Sequence, residues 1–217
     1  MKRECITFIR PDSRYLLVQY ADEHDSAGLE KEYQTICEGT DIPFSLVALK
    51  VNDWNRELSP WEAPPVFGNQ PFGGDADETL RELTEELLPR IKAEYGLRDD
   101  VRIILGGYSL AGLFALWSGF NSDAFDGIAA ASPSVWFPGW TDYAAKTCFR
   151  AQRVYLSLGD REEKTRNRVM ATVGDCIRRT EQIFAEKAVP CVLEWNEGNH
   201  FRDADIRTAK AFLGVIC

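Results

Sequence analysis

Histidine is the scarcest chemistry-bearing residue in this chain, since 217 residues carry only His24 and His200. Any mechanism needing a proton shuttle near neutral pH therefore has two candidates, and a three-histidine metal site is excluded. Positive charge is also short, with 25 Lys and Arg against 34 Asp and Glu and a net charge of −9. That balance argues against nucleic acid or an anionic membrane as the main partner. The six cysteines, Cys5, Cys37, Cys148, Cys176, Cys191 and Cys217, form no Cys-x-x-Cys pair, so dithiol redox and zinc-ribbon motifs are missing. No apolar signal segment follows Met1-Lys2-Arg3-Glu4. The expectation is a cytoplasmic chain with reduced, mostly buried thiols. One uncharged run, Ile103 to Ser122, is long enough in principle to span a membrane. Its Gly106, Gly107, Ser109, Gly112, Ser118 and Gly119 read instead as a strand, a glycine turn and a buried helix.

A hydrophobic share of 45% with 12% aromatic residues suits a packed core, and no repeat or linker divides residues 1–217, which read as one domain. Short apolar runs alternate with amphipathic stretches, the pattern of an α/β fold with helices on both faces of a sheet. The strand candidates are Ile6–Arg10, Tyr15–Ala21, Phe44–Val51, Val101–Leu105, Gly127–Ala131, Val154–Leu158 and Cys191–Trp195. Only Pro11-Asp12-Ser13 joins the first two, too short a link for a crossover, so they are expected to pair as an antiparallel hairpin. The rest of this sheet of about seven strands is expected to be parallel. A helix over Asp75–Tyr95 presents Leu80, Leu83, Leu87, Leu88 and Ile91 on one stripe, with Pro89 as a kink and Gly96 as a stop. A second, over Thr165–Lys187, presents Val169, Val173, Cys176, Ile177, Ile183 and Phe184.

The chemistry is concentrated in Val101-Arg-Ile-Ile-Leu-Gly-Gly-Tyr-Ser109-Leu-Ala-Gly-Leu-Phe-Ala-Leu-Trp117. An apolar strand runs into glycines, a lone Ser, small residues and then a helix. This is the layout of a nucleophile elbow, whose turn is so tight that residues two before and two after the Ser must be small. Those positions are Gly107 and Ala111, with Ala where a second Gly is usual. The phosphate-loop reading fails because Leu113-Phe114 replace the required Lys-Ser/Thr, and the Gly-x-Gly-x-x-Gly dinucleotide pattern is missing. No cofactor or metal is required.

The partners of such a Ser follow it in the order acid, then His, each just past a later strand. His200, in Asn196-Glu-Gly-Asn-His200, is the only His after Ser109, whereas His24 lies upstream among carboxylates and reads as a solvated loop residue. Gly159-Asp160-Arg-Glu162-Glu163 offers three acids that spacing alone does not separate. Glu162 is favoured, Asp160 is the alternative, and Glu163 reads as solvated. The neighbouring Arg161, Lys164, Arg166 and Arg168 read as a solvated helix start, with an anionic substrate as the alternative.

Beyond the elbow, the chain carries Trp54-Asn-Arg56-Glu57-Leu58-Ser-Pro60-Trp61, the glycine-led helix from Gly73 through Pro89 to Ile91, Phe125-Asp-Gly127 and Ser132-Pro-Ser134-Val-Trp136. With Gly107-Tyr-Ser109-Leu-Ala-Gly112, these resemble the putative esterase family of α/β-hydrolases, the esterase D-like group that includes feruloyl, acetyl and siderophore esterases. The resemblance covers nearly the whole chain from the third strand onward. It implies an α/β-hydrolase fold and cleavage of a small-molecule carboxylic ester by a serine esterase through an acyl-enzyme on Ser109, with His200 as general base. In siderophore-esterase-like members the acid lies three residues after the strand-terminal Gly, which lands on Glu162. The expected oxyanion donors are the Leu110 N–H and a second N–H from the loop after Phe44–Val51, near Asn52. Trp54, Trp61 and Trp136, in loops at strand ends, are expected to line the substrate pocket. The same nucleophile would also serve acyl transfer to an alcohol or thiol, and a hydrolase-like binding protein without catalysis is the remaining alternative.

Overall fold

Each apolar run identified above becomes a strand in a computed structural model that describes residues 3–217. In chain order the strands are β1 (Cys5–Phe8), β2 (Tyr15–Ala21), β3 (Phe44–Lys50), β4 (Glu62–Ala63), β5 (Phe72–Gly73), β6 (Arg102–Tyr108), β7 (Gly127–Ala131), β8 (Val154–Gly159) and β9 (Cys191–Asn196). The helices are α1 (Glu23–Ser26), α2 (Leu29–Gly39), α3 (Trp54–Glu57), α4 (Ala76–Arg81), α5 (Leu88–Tyr95), α6 (Ser109–Asn121), α7 (Trp140–Lys146), α8 (Val173–Glu186) and α9 (Ala204–Ile216). Seven strands make one sheet in the order β1-β3-β2-β6-β7-β8-β9, and β4 pairs with β5 in a small ribbon. All neighbours in the large sheet are parallel except β1 and β3.

The antiparallel partner of β1 is therefore β3 and not β2. The reason is burial: every residue of β2 is buried, and the strand takes parallel partners on both edges, β3 on one and β6 on the other. The link from β1 to β2 passes over the end of β3, where Ser45 Oγ accepts from the Arg10 N–H and the Arg14 N–H donates to the Pro43 carbonyl.

Successive residues of the central strands serve two separate cores, as the pleat requires. Leu16, Val18 and Tyr20 of β2 pack with Ile103 and Leu105 of β6 beneath α4 to α8, whereas Tyr15 and Leu17 pack with Ile104 beneath α2 and α9. The uncharged α6 is buried almost all round, so the run Ile103–Ser122 is a strand and a core helix. Among the described residues, no helix is long and apolar enough to cross a membrane.

The predicted helix over Asp75–Tyr95 forms with all five stripe leucines and isoleucines buried, and Gly96 ends it in a left-handed conformation at φ 61°. Pro89 has no N–H and its ring would strike the carbonyl four residues back. The strain is absorbed by a π-helical stretch over Glu82–Leu87, in which the Leu88 N–H reaches the Leu83 carbonyl. The second predicted helix starts late, at Val173, because the Asn167 side chain accepts from the Val169 and Met170 N–H groups and forms a separate turn. Val169 is consequently exposed rather than part of the buried stripe. The thiols also differ from expectation: all six are free, but Cys37, Cys148 and Cys217 are exposed and the other three only partly buried.

Phe114 sits at the centre of the larger core with its side chain fully buried. Phe114→Ala is expected to cost about 3–5 kcal/mol, read as a lower urea midpoint with an unchanged slope.

Candidate active site

Strand β6 ends at Tyr108 and α6 begins at Ser109, so no loop residue separates them. A chain that reverses in so little space must bend sharply at one residue, and Ser109 takes the left-handed conformation at φ 56°. Such a conformation is costly for a residue with a side chain and persists only where the surroundings enforce it. The enforcement is visible. A Cβ on Gly107 would lie 2.7 Å from Ala111 Cβ, and one on Gly112 would lie 3.0 Å from the Gly107 carbonyl oxygen. The Ser134 N–H holds the Ser109 carbonyl at 2.9 Å. Ala111 thus fits where a second Gly is usual only because Gly107 has no side chain opposite it.

Ser109 Oγ lies 3.0 Å from His200 Nε2, and His200 Nδ1 lies 2.7 Å from Glu162 Oε2. Of the three competing acids, then, Glu162 reaches the imidazole. Asp160 instead accepts from the Gly198 N–H at 2.8 Å, and Glu163 pairs with Arg178 at 3.8 Å on the surface. The side chain of His24 lies outside the described residues.

Glu162 is buried, and a buried carboxylate must be hydrogen-bonded or lose its charge. Its Oε1 accepts from Ser132 Oγ at 2.7 Å, the Gly159 N–H at 2.7 Å and Arg207 Nη1 at 2.9 Å. Burial pushes the carboxyl up, but the hydrogen bonds from His200, Ser132 and Gly159 outweigh it and hold Glu162 below the usual carboxylate range. Ser132 reaches it from a left-handed backbone at φ 44° at the end of β7. Tyr108 completes the enclosure: its hydroxyl, pushed up to about 12 chiefly by burial, donates to the His200 carbonyl at 2.7 Å. Ser132, Tyr108 and Arg207 were not anticipated as part of the site. Arg207 had a readable signal, since it shares the buried stripe of α9 with Ala211 and Val215 at four-residue spacing.

The Leu110 N–H lies in the first turn of α6, where amides have no intrahelical acceptor. The expectation at Asn52 fails. Glu57 Oε1 takes the Asn52 and Asp53 N–H groups at 3.1 and 3.0 Å, while its Oε2 binds Arg3 at 2.7 Å. The strand beside β6 is β2, so the loop after β3 starts one strand too far away.

A cavity of about 420 Å³ opens beside His200, lined by Trp136, Met170, Val173 and Phe201 and by the cations Arg161, Lys164 and Arg166. Of the three Trp expected there, only Trp136 takes part. Trp54 packs on the core, and Trp61 stacks near Phe137 and Tyr143 with its Nε1 on the Pro138 carbonyl. Trp140 is fully buried on Thr180. The basic residues do not start a helix, because α8 begins only at Val173. Phe201 also borders a second cavity of about 350 Å³, lined by Tyr108, Asp25, Glu32, Asp203 and Asp205. Among the described residues no cluster of ligating side chains could hold a metal ion.

A serine held against an imidazole, itself oriented by a buried carboxylate, is equipped for attack on a carbonyl carbon. The family model described as Putative esterase matches residues 24–201. Among solved structures, the siderophore hydrolase EstA from Aspergillus nidulans is 19% identical over 95% of this chain and 85% of its own, with a TM-score of 0.70. An IroE-like serine hydrolase from Shewanella oneidensis is 17% identical over 98% of this chain and 75% of its own, with a TM-score of 0.75. The enterobactin esterase FES from Shigella flexneri, solved in the presence of 2,3-di-hydroxy-N-benzoyl-serine, is 18% identical over 98% of this chain and 55% of its own, at 0.69. No curated protein matched the chain.

Gly107→Ala is expected to force Ala111 aside and cost about 1–3 kcal/mol, whereas Ala111→Gly leaves the elbow in place. Thermal melts and fluorophosphonate labelling of Ser109 should both show the first variant impaired and the second close to wild type.

Proposed function

The chain belongs to the putative esterase family and is a carboxylic-ester hydrolase, and from that premise we propose a serine mechanism through an acyl-enzyme on Ser109. Ser109 Oγ attacks the ester carbonyl as His200 Nε2 takes its proton. Glu162 holds the imidazole by Nδ1 and offsets the positive charge that forms on it. The imidazolium then protonates the leaving alcohol, and a water activated by the same imidazole releases the acid. The observation that carries this reading is the unbroken line of hydrogen bonds from Ser109 Oγ through His200 to Glu162.

The oxyanion is held by the Leu110 N–H together with an amide from the loop after β2, where Asp22 and Glu23 lead into α1. Adjacency supports this choice, since β2 and β6 are neighbours with Gln19 beside Gly106. The substrate occupies the cavity beside His200. Its apolar wall, Trp136, Met170 and Phe201, takes the body of the molecule. Arg161, Lys164 and Arg166, concentrated here in a protein of net charge −9, favour an ester that carries an anionic group.

Ser109→Ala and His200→Ala are each expected to lower turnover of short acyl p-nitrophenyl esters by at least about a thousandfold. Wild-type turnover in either variant would remove the assignment. Substituting Lys164→Glu and Arg166→Glu together should reduce kcat/KM about fivefold to tenfold for a carboxylate-bearing ester relative to a neutral one of equal size. Equal losses on both substrates would show that charge plays no part in selection.

A further inference from the structure

Arg207 is almost completely buried, at 2% exposure, and its guanidinium touches four separate parts of the site. Nη1 donates to Glu162 Oε1 at 2.9 Å, Tyr108 Oη at 3.2 Å and Ser132 Oγ at 3.3 Å, and Nη2 donates to the Glu197 carbonyl at 3.0 Å. One side chain on α9 therefore braces the ends of β6 and β7, the acid's loop and the histidine's loop. Ester hydrolysis by a serine needs the acid and the imidazole but not an arginine on the acid's other oxygen. We propose that Arg207 is a positioning residue that sets the pH at which the Glu162–His200 pair takes up a proton, an inference that rests on the Ser109–His200–Glu162 reading.

The reason is the charge of the buried group as a whole. With Arg207 present, ionised Glu162 and neutral His200 make a cluster of net charge zero, and protonating the imidazole leaves a surplus positive charge. Without Arg207, the same neutral imidazole leaves an uncompensated carboxylate, and protonation is what restores neutrality. Burial penalises whichever state carries net charge. The guanidinium therefore favours the imidazole form that can accept the Ser109 proton. Because the carboxylate and the imidazole exchange one proton within a coupled pair, removing Arg207 raises the pH of uptake whichever partner holds it.

His200 faces Glu162, Ser109 Oγ and the Tyr108 ring, whose centroid lies 5.1 Å from its own. It shares its cavity with Arg161, Lys164 and Arg166, which are exposed and screened. Asp160 is engaged by the Gly198 N–H, and the Glu197 carboxylate by Arg202. Asp203 contacts Arg202 rather than the buried cluster. Arg207 is the one buried cation against the acid among the described residues.

The test compares Arg207→Gln, which keeps a donor for Glu162 but loses the charge, with Arg207→Lys, which keeps the charge but loses the fork. Two readouts are taken on each: the pH profile of kcat/KM on a p-nitrophenyl ester, and the proton NMR titration of the imidazole Cε1–H. With only two histidines in the chain, His24→Gln assigns the signals. For Arg207→Gln the acid limb and the His200 titration should both move to higher pH by about one unit, with activity lost near neutrality and recovered in alkaline buffer. For Arg207→Lys both should stay at the wild-type position. A rate loss in Arg207→Gln that is equal at every pH, an unmoved titration, or failure of the Gln variant to fold while Lys folds with a shifted limb would overturn the proposal. If neither variant folds, the residue is structural and the proposal falls. The NMR arm needs no substrate, so it stays decisive if the chain proves inactive on esters, an outcome that would instead sink the serine-esterase mechanism.

Discussion

A single buried carboxylate organises this molecule's working end. Glu162 is removed from water and accepts four hydrogen bonds, from His200, Ser132, the Gly159 amide and Arg207. Stripping a neutral donor leaves part of a buried charge without a hydrogen bond, and stripping Arg207 leaves it without its cation, each more costly than losing a contact on the surface. Each donor comes from a different stretch of chain, so satisfying the carboxylate also fixes where β7 ends, how the histidine loop returns and where α9 starts. The left-handed Ser132 and Asp203 are local strains that this convergence over-determines.

The elbow is the second constraint, and it is steric rather than electrostatic. Ser109, half-buried at the turn, faces His200 because the backbone is bent to a conformation its side chain disfavours, and the bend survives because Gly107, Ala111 and Gly112 leave room for strand and helix to touch. The clamp from the Ser134 amide ties that bend to the loop after β7, and Trp136 in the same loop forms a wall of the cavity. Ser109, the groups that hold Glu162 and the cavity wall are thus parts of one packed unit at the carboxyl ends of adjacent parallel strands, where α/β sheets place their ligands.

Charge is distributed against the molecule's overall balance. An acidic protein gathers three cations around the cavity beside His200, while the second cavity that Phe201 borders is lined by carboxylates. Phe201, 88% exposed and bordering both, stands between the two fields.

Local signals in the sequence determined a great deal. The strands were legible from apolar runs, the elbow from the small residues around Ser109, and the meeting of Ser109 with His200 from the scarcity of histidine, since only His200 follows Ser109. What stayed hidden was everything that depends on which elements become neighbours. The antiparallel N-terminal strand was legible but its partner was not, because β2, buried along its length, takes parallel partners on both edges and leaves β1 to pair with β3. Asn52 follows β3, which for the same reason is separated from β6 by β2 in the sheet order, and its N–H is taken by Glu57. Two of three tryptophans at strand ends pack half-buried on other parts of the fold, Trp54 against the core and Trp61 against Phe137 and Tyr143, contacts that no local pattern announces. Asp160 and Glu162 differ by two positions in a loop, and only the converging donors of Ser132, Gly159 and Arg207 decide which of them is buried against the imidazole. Arg207 lies 45 residues from that acid. Composition and periodicity act over a few residues, whereas a buried charge is satisfied by whatever the fold brings to it.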